Sequence, residues 1–312
     1  MSTDLITYLV FGIVLLFALI LDLGLLSKRS ATISIRTALW QTLFWVLLAF
    51  AFFFFLWMQR GQTIALEYIS AYLMEWSLSI DNIFVFILIF TFFGIRQDHY
   101  ARALLYGILM AILFRIIFIT VGVWLVDKFH WILYLFGLFL VFTGIRIFAV
   151  RQEDDFDPAK NPVYKLMNRF FAIIPDDESG KFVVKKNGKR FYTNMFVVII
   201  LLATTDIVFA LDSIPAVFAI SQDKLVIYTS NIFAVLGLRS LFFLLKGAIK
   251  KFEYLQQGIA IVLIFIGLKM LVEIIKVKVP IYISLIVILI CLVGSIVYSM
   301  RIAKKKKINQ EE

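Results

Sequence analysis

One cysteine, two histidines and five prolines stand in a chain of 312 residues, and charged residues make up only 17% of it. The lone Cys291 excludes an internal disulfide framework and a thiolate metal site. His99 and His130, both in connections between apolar runs, supply no imidazole set for zinc or copper. The eight methionines are scattered and form no ladder for copper(I). No GxxxxGK[ST] segment occurs, so the chain brings no phosphate loop for ATP-driven work, and nothing in it reads as an enzyme. It also specifies no permanently bound cofactor and no oligomeric state.

What is abundant is apolar. Hydrophobic residues make up 62% of the chain, whereas a soluble domain is roughly half apolar and a quarter charged. The mean hydropathy is +0.96. Long runs reach the roughly 20 residues a helix needs to cross the hydrocarbon core. Lipid offers the backbone no partners, so a span is a helix or part of a closed barrel, and the runs lack the period-2 alternation of barrel strands. The expected fold is therefore all-α: a polytopic membrane helix bundle of nine spans, at 5–26, 39–58, 68–93, 103–126, 131–150, 195–220, 225–245, 254–275 and 280–300. The first run has no basic leader and is too long for a cleavable signal. Phe52 to Phe55 read as lipid-facing bulk.

The net charge of +10 belongs to the connections between spans and does not indicate nucleic acid. Of 31 Lys and Arg, 22 fall on one set of connections plus the C-terminal tail, and 5 on the other. By the positive-inside rule the N-terminus lies outside and the C-terminus in the cytoplasm of an inner-membrane protein. The expected organisation is two N-terminal helices (1–60), a three-helix unit (61–150), a cytoplasmic loop (151–194), a second three-helix unit (195–278), and a last helix with a basic tail (279–312). Within the loop, Asn187-Gly188 between strand-like flanks signals a type I′ hairpin, and 162–174 fits an amphipathic surface helix. The acidic start of the loop reads as a solvated surface.

The two units repeat one another. EWSLSIDNIF from Glu75 matches DIVFALDSIP from Asp206, GILMAILFR from Gly107 matches NIFAVLGLR from Asn231, and TGIR from Thr143 matches IGLK from Ile266. Each unit has three spans, an odd number, so the copies are expected to lie inverted, a common transporter plan. Near mid-span stand Glu75, Asp81, Asp206, Asp212, Arg115 and Arg239, with Lys269 slightly less central. Each would cost roughly 3 kcal/mol facing lipid, so they face the interior and one another. The six-residue step between paired acids turns them about 120° apart on an ideal helix. Convergence on one ion therefore calls for distortion, and Pro215 offers it by freeing the carbonyl of Leu211. With Asn82 and Ser213 the set is all oxygen, suited to a hard divalent cation such as Mn²⁺, Mg²⁺ or Ca²⁺. Arg115, Arg239 and Lys269 would balance the charge, and protons could compete for the acids.

These motifs, with Asp22 in DLGLL and the segment KFVVKKNGKRFYT, resemble the TerC family and its Alx-like members, within the wider LysE-type transporter superfamily. The resemblance implies a membrane protein of metal-ion homeostasis, with manganese efflux the associated activity and Glu75, Asp81, Asn82, Asp206, Asp212 and Ser213 the metal-handling residues. The expected function is export of Mn²⁺ across the bilayer in exchange for protons. The alternatives are an exporter of a small organic solute such as an amino acid, and a non-transporting scaffold or stress-response protein, including a tellurium-resistance role.

Overall fold

The structure, a computed structural model, describes residues 3–25, 33–149, 161–174, 180–186, 189–246, 254–272, 277 and 279–311. Over the described residues the nine apolar runs are helical, with a break at Gly237 in the run 225–245. Helices α1 (Thr3–Leu25), α2 (Ile35–Arg60), α3 (Gln62–Phe92), α4 (Tyr100–Lys128) and α5 (Ile132–Ala149) lead to a short helix, α6 (Pro162–Phe170). Strands β1 (Ile173–Ile174), β2 (Val183–Lys186) and β3 (Lys189–Thr193) follow. The chain then returns as α7 (Asn194–Ile220), α8 (Lys224–Leu236), α9 (Leu238–Leu245), α10 (Leu255–Val272) and α11 (Ile281–Glu311). Among the described residues six helices are long and apolar enough to cross a membrane, and seven if α8 and α9 count as one bent span. Two shorter apolar stretches lie in α1 and α5. This is an all-α polytopic membrane bundle.

Three sequence expectations need correction. The run 225–245 is not one straight helix: it bends by 40° at Gly237, a poor helix former with the Trp45 side chain against its backbone. The Phe run is not all lipid-facing. Phe52 and Phe53 are buried, because four consecutive residues sweep most of the way round a helix. Phe52 joins Phe11, Tyr68 and Phe233 in one aromatic cluster with centroids 5.2–6.0 Å from Phe52, which ties α1, α2, α3 and α8 together. The loop helix stops at Phe170 instead of continuing to 174, because Ile173 and Ile174 pair in parallel with Tyr192 and Thr193. The hairpin is present, with Lys186 opposite Lys189; its turn at 187–188 and the acidic patch at 153–157 lie outside the described residues.

Two pairs of helices, α5 with α10 and α3 with α7, pack closely on one another. Helix α5 lies antiparallel on α10. A Cβ at Gly144 would sit 2.7 Å from the Ala260 carbonyl oxygen and 2.7 Å from Ile264, and one at Gly267 would sit 2.6 Å from the Gly137 carbonyl oxygen and 2.8 Å from Val141. Only glycine admits backbones this close. Helices α3 and α7 also run antiparallel, with Asn82 meeting Asp206 at one level and Glu67 meeting Ser221 at another.

Candidate functional site

Four helices meet at Arg115. From α4 its Nε donates to Asp206 Oδ2 at 2.7 Å and its Nη2 to Asp206 Oδ1 at 2.9 Å, a two-pronged grip on the α7 carboxylate. Its Nη1 donates to Glu75 Oε1 on α3 and, at 2.8 Å, to Asn231 Oδ1 on α8. Asn82, two turns beyond Glu75 on α3, donates from Nδ2 to Asp206 Oδ1 at 3.1 Å. All five side chains are buried. Apolar runs left these helices few places for charge except against each other, and burial makes the pairing strong. Removing one partner of such a buried ion pair costs about 3–5 kcal/mol, because the other charge is stranded.

The junction is not saturated. Of its own atoms Glu75 Oε2, Asn82 Oδ1 and Asn231 Nδ2 are buried without a hydrogen-bond partner among the described residues, and on the same helices Ser79 Oγ of α3 and Ser213 Oγ of α7 are buried and unsatisfied too. Buried polar atoms are almost always satisfied, so a group of them marks a place awaiting a ligand, an ion or water. Four of the five are oxygens, the donor type a hard cation takes. Two carboxylates and one guanidinium give the described junction a formal charge of −1. Among the described residues no three of His, Cys, Asp and Glu come together, so its oxygens are a mixture of carboxylate, amide and hydroxyl.

The nine residues expected from the sequence are distributed as follows. Glu75, Asn82, Asp206 and Arg115 are brought into direct contact. Ser213 is buried in α7 with its hydroxyl unsatisfied. Arg239 and Lys269 are buried in α9 and α10. Asp81 and Asp212 sit within α3 and α7 beside Asn82 and Ser213, and their side chains lie outside the described residues, as does that of Asp22. Helix α7 continues through Pro215.

Two features were not foreseen. Asn231 is one; it aligns with Gly107 in the repeat, and a lone amide in an apolar run was its only signal. The other is a polar cluster where the α2–α3 turn meets the α7–α8 loop. There Ser221 Oγ donates to Glu67 Oε2, and Arg60 Nη2 lies 2.8 Å from Asp223 Oδ2. Asp223 also caps α8, accepting from the amides of Leu225 at 2.9 Å and Val226 at 3.3 Å. Glu67, Glu75, Ser79 and Asn82 recur at steps of eight, four and three, so they share one face of α3. That face of α3 thus carries polar groups at the helix-end cluster and again, two turns on, at the buried junction.

Comparison with known proteins gives the chain a family. The description "Integral membrane protein TerC family" matches residues 60–307. An uncharacterized membrane protein of Rickettsia felis is 40% identical over 294 residues, covering 94% of this chain and 97% of its own. The uncharacterized membrane protein STKORF319 of Myxococcus xanthus is 42% identical over 282 residues, covering 90% and 88%. A protein of Escherichia coli K12, whose given name, Alx, is that of a proposed membrane-bound redox modulator, is 38% identical over 271 residues, 84% of each chain. No solved structure matches.

Proposed function

The chain belongs to the integral membrane protein TerC family, and from that premise we propose that it is a secondary transporter that exports a divalent metal ion, manganese foremost, across the inner membrane in exchange for protons. The observation that carries the reading is the junction in which Arg115 stands between Glu75 and Asp206 while neighbouring oxygens are left over. The guanidinium occupies the position of a cation. An incoming divalent ion would draw the carboxylate oxygens to itself, and Arg115 would keep Asn231 as a neutral partner while they turn away. Asp81 and Asp212, next in line on the same helices, would complete the oxygen set.

Proton exchange supplies the driving force. Moving a divalent ion outward against an inside-negative potential costs roughly 4.6 kcal/mol per 100 mV. Protons entering down their gradient offset that cost, and the same carboxylates can carry them. The polar groups on that face of α3, from Glu67 to Asn82, would line the route between site and surface.

The repeat reading belongs to this proposal. In the repeat Gly144 is equivalent to Gly267 and Gly137 to Ala260, and the close contacts are Gly144 with Ala260 and Gly267 with Gly137. Each contact maps onto the other when the units are exchanged, as across a two-fold axis. The helices cross antiparallel, so that axis lies across them, which supports two inverted units; the placing of the N-terminus outside and the C-terminus in the cytoplasm rests on loop charge alone.

The test is metal content. Cells expressing wild type, Glu75→Gln, Asp81→Asn, Asp206→Asn or Asp212→Asn are stressed with manganese, and intracellular metals are measured by mass spectrometry. Wild type is expected to lower manganese and the four variants, at equal membrane abundance, to leave it high. Equal content in every strain would remove transport as the function.

A further inference from the structure

Between α5 and α7 the chain leaves the bundle and builds a small lobe whose cations are set against each other. In the β2–β3 ladder Lys185 faces Arg190 and Lys186 faces Lys189. Like charges directly opposite destabilise a strand pair. All four side chains are exposed, and no acidic residue occurs between 180 and 194. A topogenic signal requires only that cations lie in the connection; it does not require that they be folded into opposed pairs.

Helix α6 repeats the theme. Asn161 caps it through the amide of Val163 at 2.8 Å, and Pro162 occupies its first turn. Met167 is buried, and Tyr164 packs on Phe92 and Phe93 at 6.4 and 5.2 Å. On the outer side Leu166 and Phe170, one turn apart, are 56% and 70% exposed, and exposed Lys165 and Arg169 run alongside them. An exposed apolar edge beside a basic edge is the pattern of a helix that lies in the headgroup layer. The lobe is seated where spans end. Phe182 meets Tyr106 of α4 edge to face at 5.1 Å and lies 4.7 Å under the Arg102 guanidinium, and Asn194 donates to the carbonyl of Phe93 at 3.2 Å.

We propose that this lobe is a docking surface for anionic phospholipid. Leu166 and Phe170 enter the acyl boundary, and Lys165, Arg169 and the four hairpin cations hold headgroup phosphates. Each Lys or Arg near an anionic surface strengthens association roughly fivefold, enough to offset the like-charge repulsion in the ladder. The competing partner is the set of acidic residues elsewhere in the same connection, at 153–157 and 176–178.

Hydrogen exchange on the full-length protein in lipid nanodiscs separates the two. Discs of phosphatidylcholine alone are compared with discs of equal phosphatidylcholine and phosphatidylglycerol. Segments 163–171 and 183–192 are expected to exchange severalfold more slowly in the anionic discs, and the difference should vanish in molar salt. A Lys185→Gln, Lys186→Gln, Lys189→Gln, Arg190→Gln variant should lose that difference while α3 and α7 exchange as in wild type. Leu166→Ser with Phe170→Ser should lose it with the hairpin intact. Equal exchange of wild type in the two lipids overturns the proposal. So does a quadruple variant that changes exchange alike in both, which would assign the cations to the chain's own acids. The measurement involves no metal, so its outcome is independent of transport.

Discussion

Four hydrogen bonds converge on the Arg115 guanidinium from side chains on three other helices, and its removal has a calculable consequence. Arg115→Gln strands two buried carboxylates and is expected to destabilise the protein by about 3–5 kcal/mol, read as a lower thermal midpoint in detergent. Adding Glu75→Gln to that variant should recover part of the loss, because one stranded charge is gone. Arg115→Lys keeps the charge but not the fork and should fall between. Glu75 and Asp206 were legible in the sequence because charge in an apolar run has few places to go. That one arginine joins the acids of α3 and α7 was not legible, since spacing along a helix says nothing about which neighbour faces it. Asn231 escaped for a simpler reason: a neutral amide gives no hydropathy alarm.

At the scale of elements, glycine placement decides how near α5 and α10 can come. Gly267→Ala and Gly144→Ala push a methyl group into backbone and should each cost about 1–3 kcal/mol. Gly294→Ala, inside α11 with nothing within 4 Å, should lose nothing and gain up to about 1 kcal/mol from helix propensity, and thermal unfolding of the three variants gives the ranking. Asp223 serves both as a cap and as the partner of Arg60. Asp223→Asn keeps the cap and should lose little, whereas Asp223→Ala should lose about 1 kcal/mol more, measured the same way. Over the described residues the apolar runs proved helical because length and continuity near 20 residues are strong signals. The break at Gly237 and the inward turn of Phe52 depend on Trp45, Phe11 and Phe233, neighbours from distant parts of the chain.

For the whole molecule the prediction concerns energy coupling. In proteoliposomes loaded at one pH and diluted into another, manganese flux should follow the proton gradient and stop when a protonophore collapses it. A flux indifferent to the protonophore would leave metal movement without its proposed driver. The all-α membrane bundle was legible from the length of the apolar runs; orientation and the inverted plan stay part of the proposal, resting on loop charge and on the recurrence of three motifs. Packing of α5 on α10 and of α3 on α7 was not legible, because similarity of motifs leaves the mode of association open.

If the proposed transport holds, the reciprocal seam between α5 and α10 bears on how access could alternate. If the two triplets adopt slightly different shapes, trading those shapes between them regenerates the same seam with the opening turned toward the other face of the bilayer. A single set of glycine contacts would then serve as the pivot for both access states, and a bulkier residue at any of them should lock the molecule facing one way.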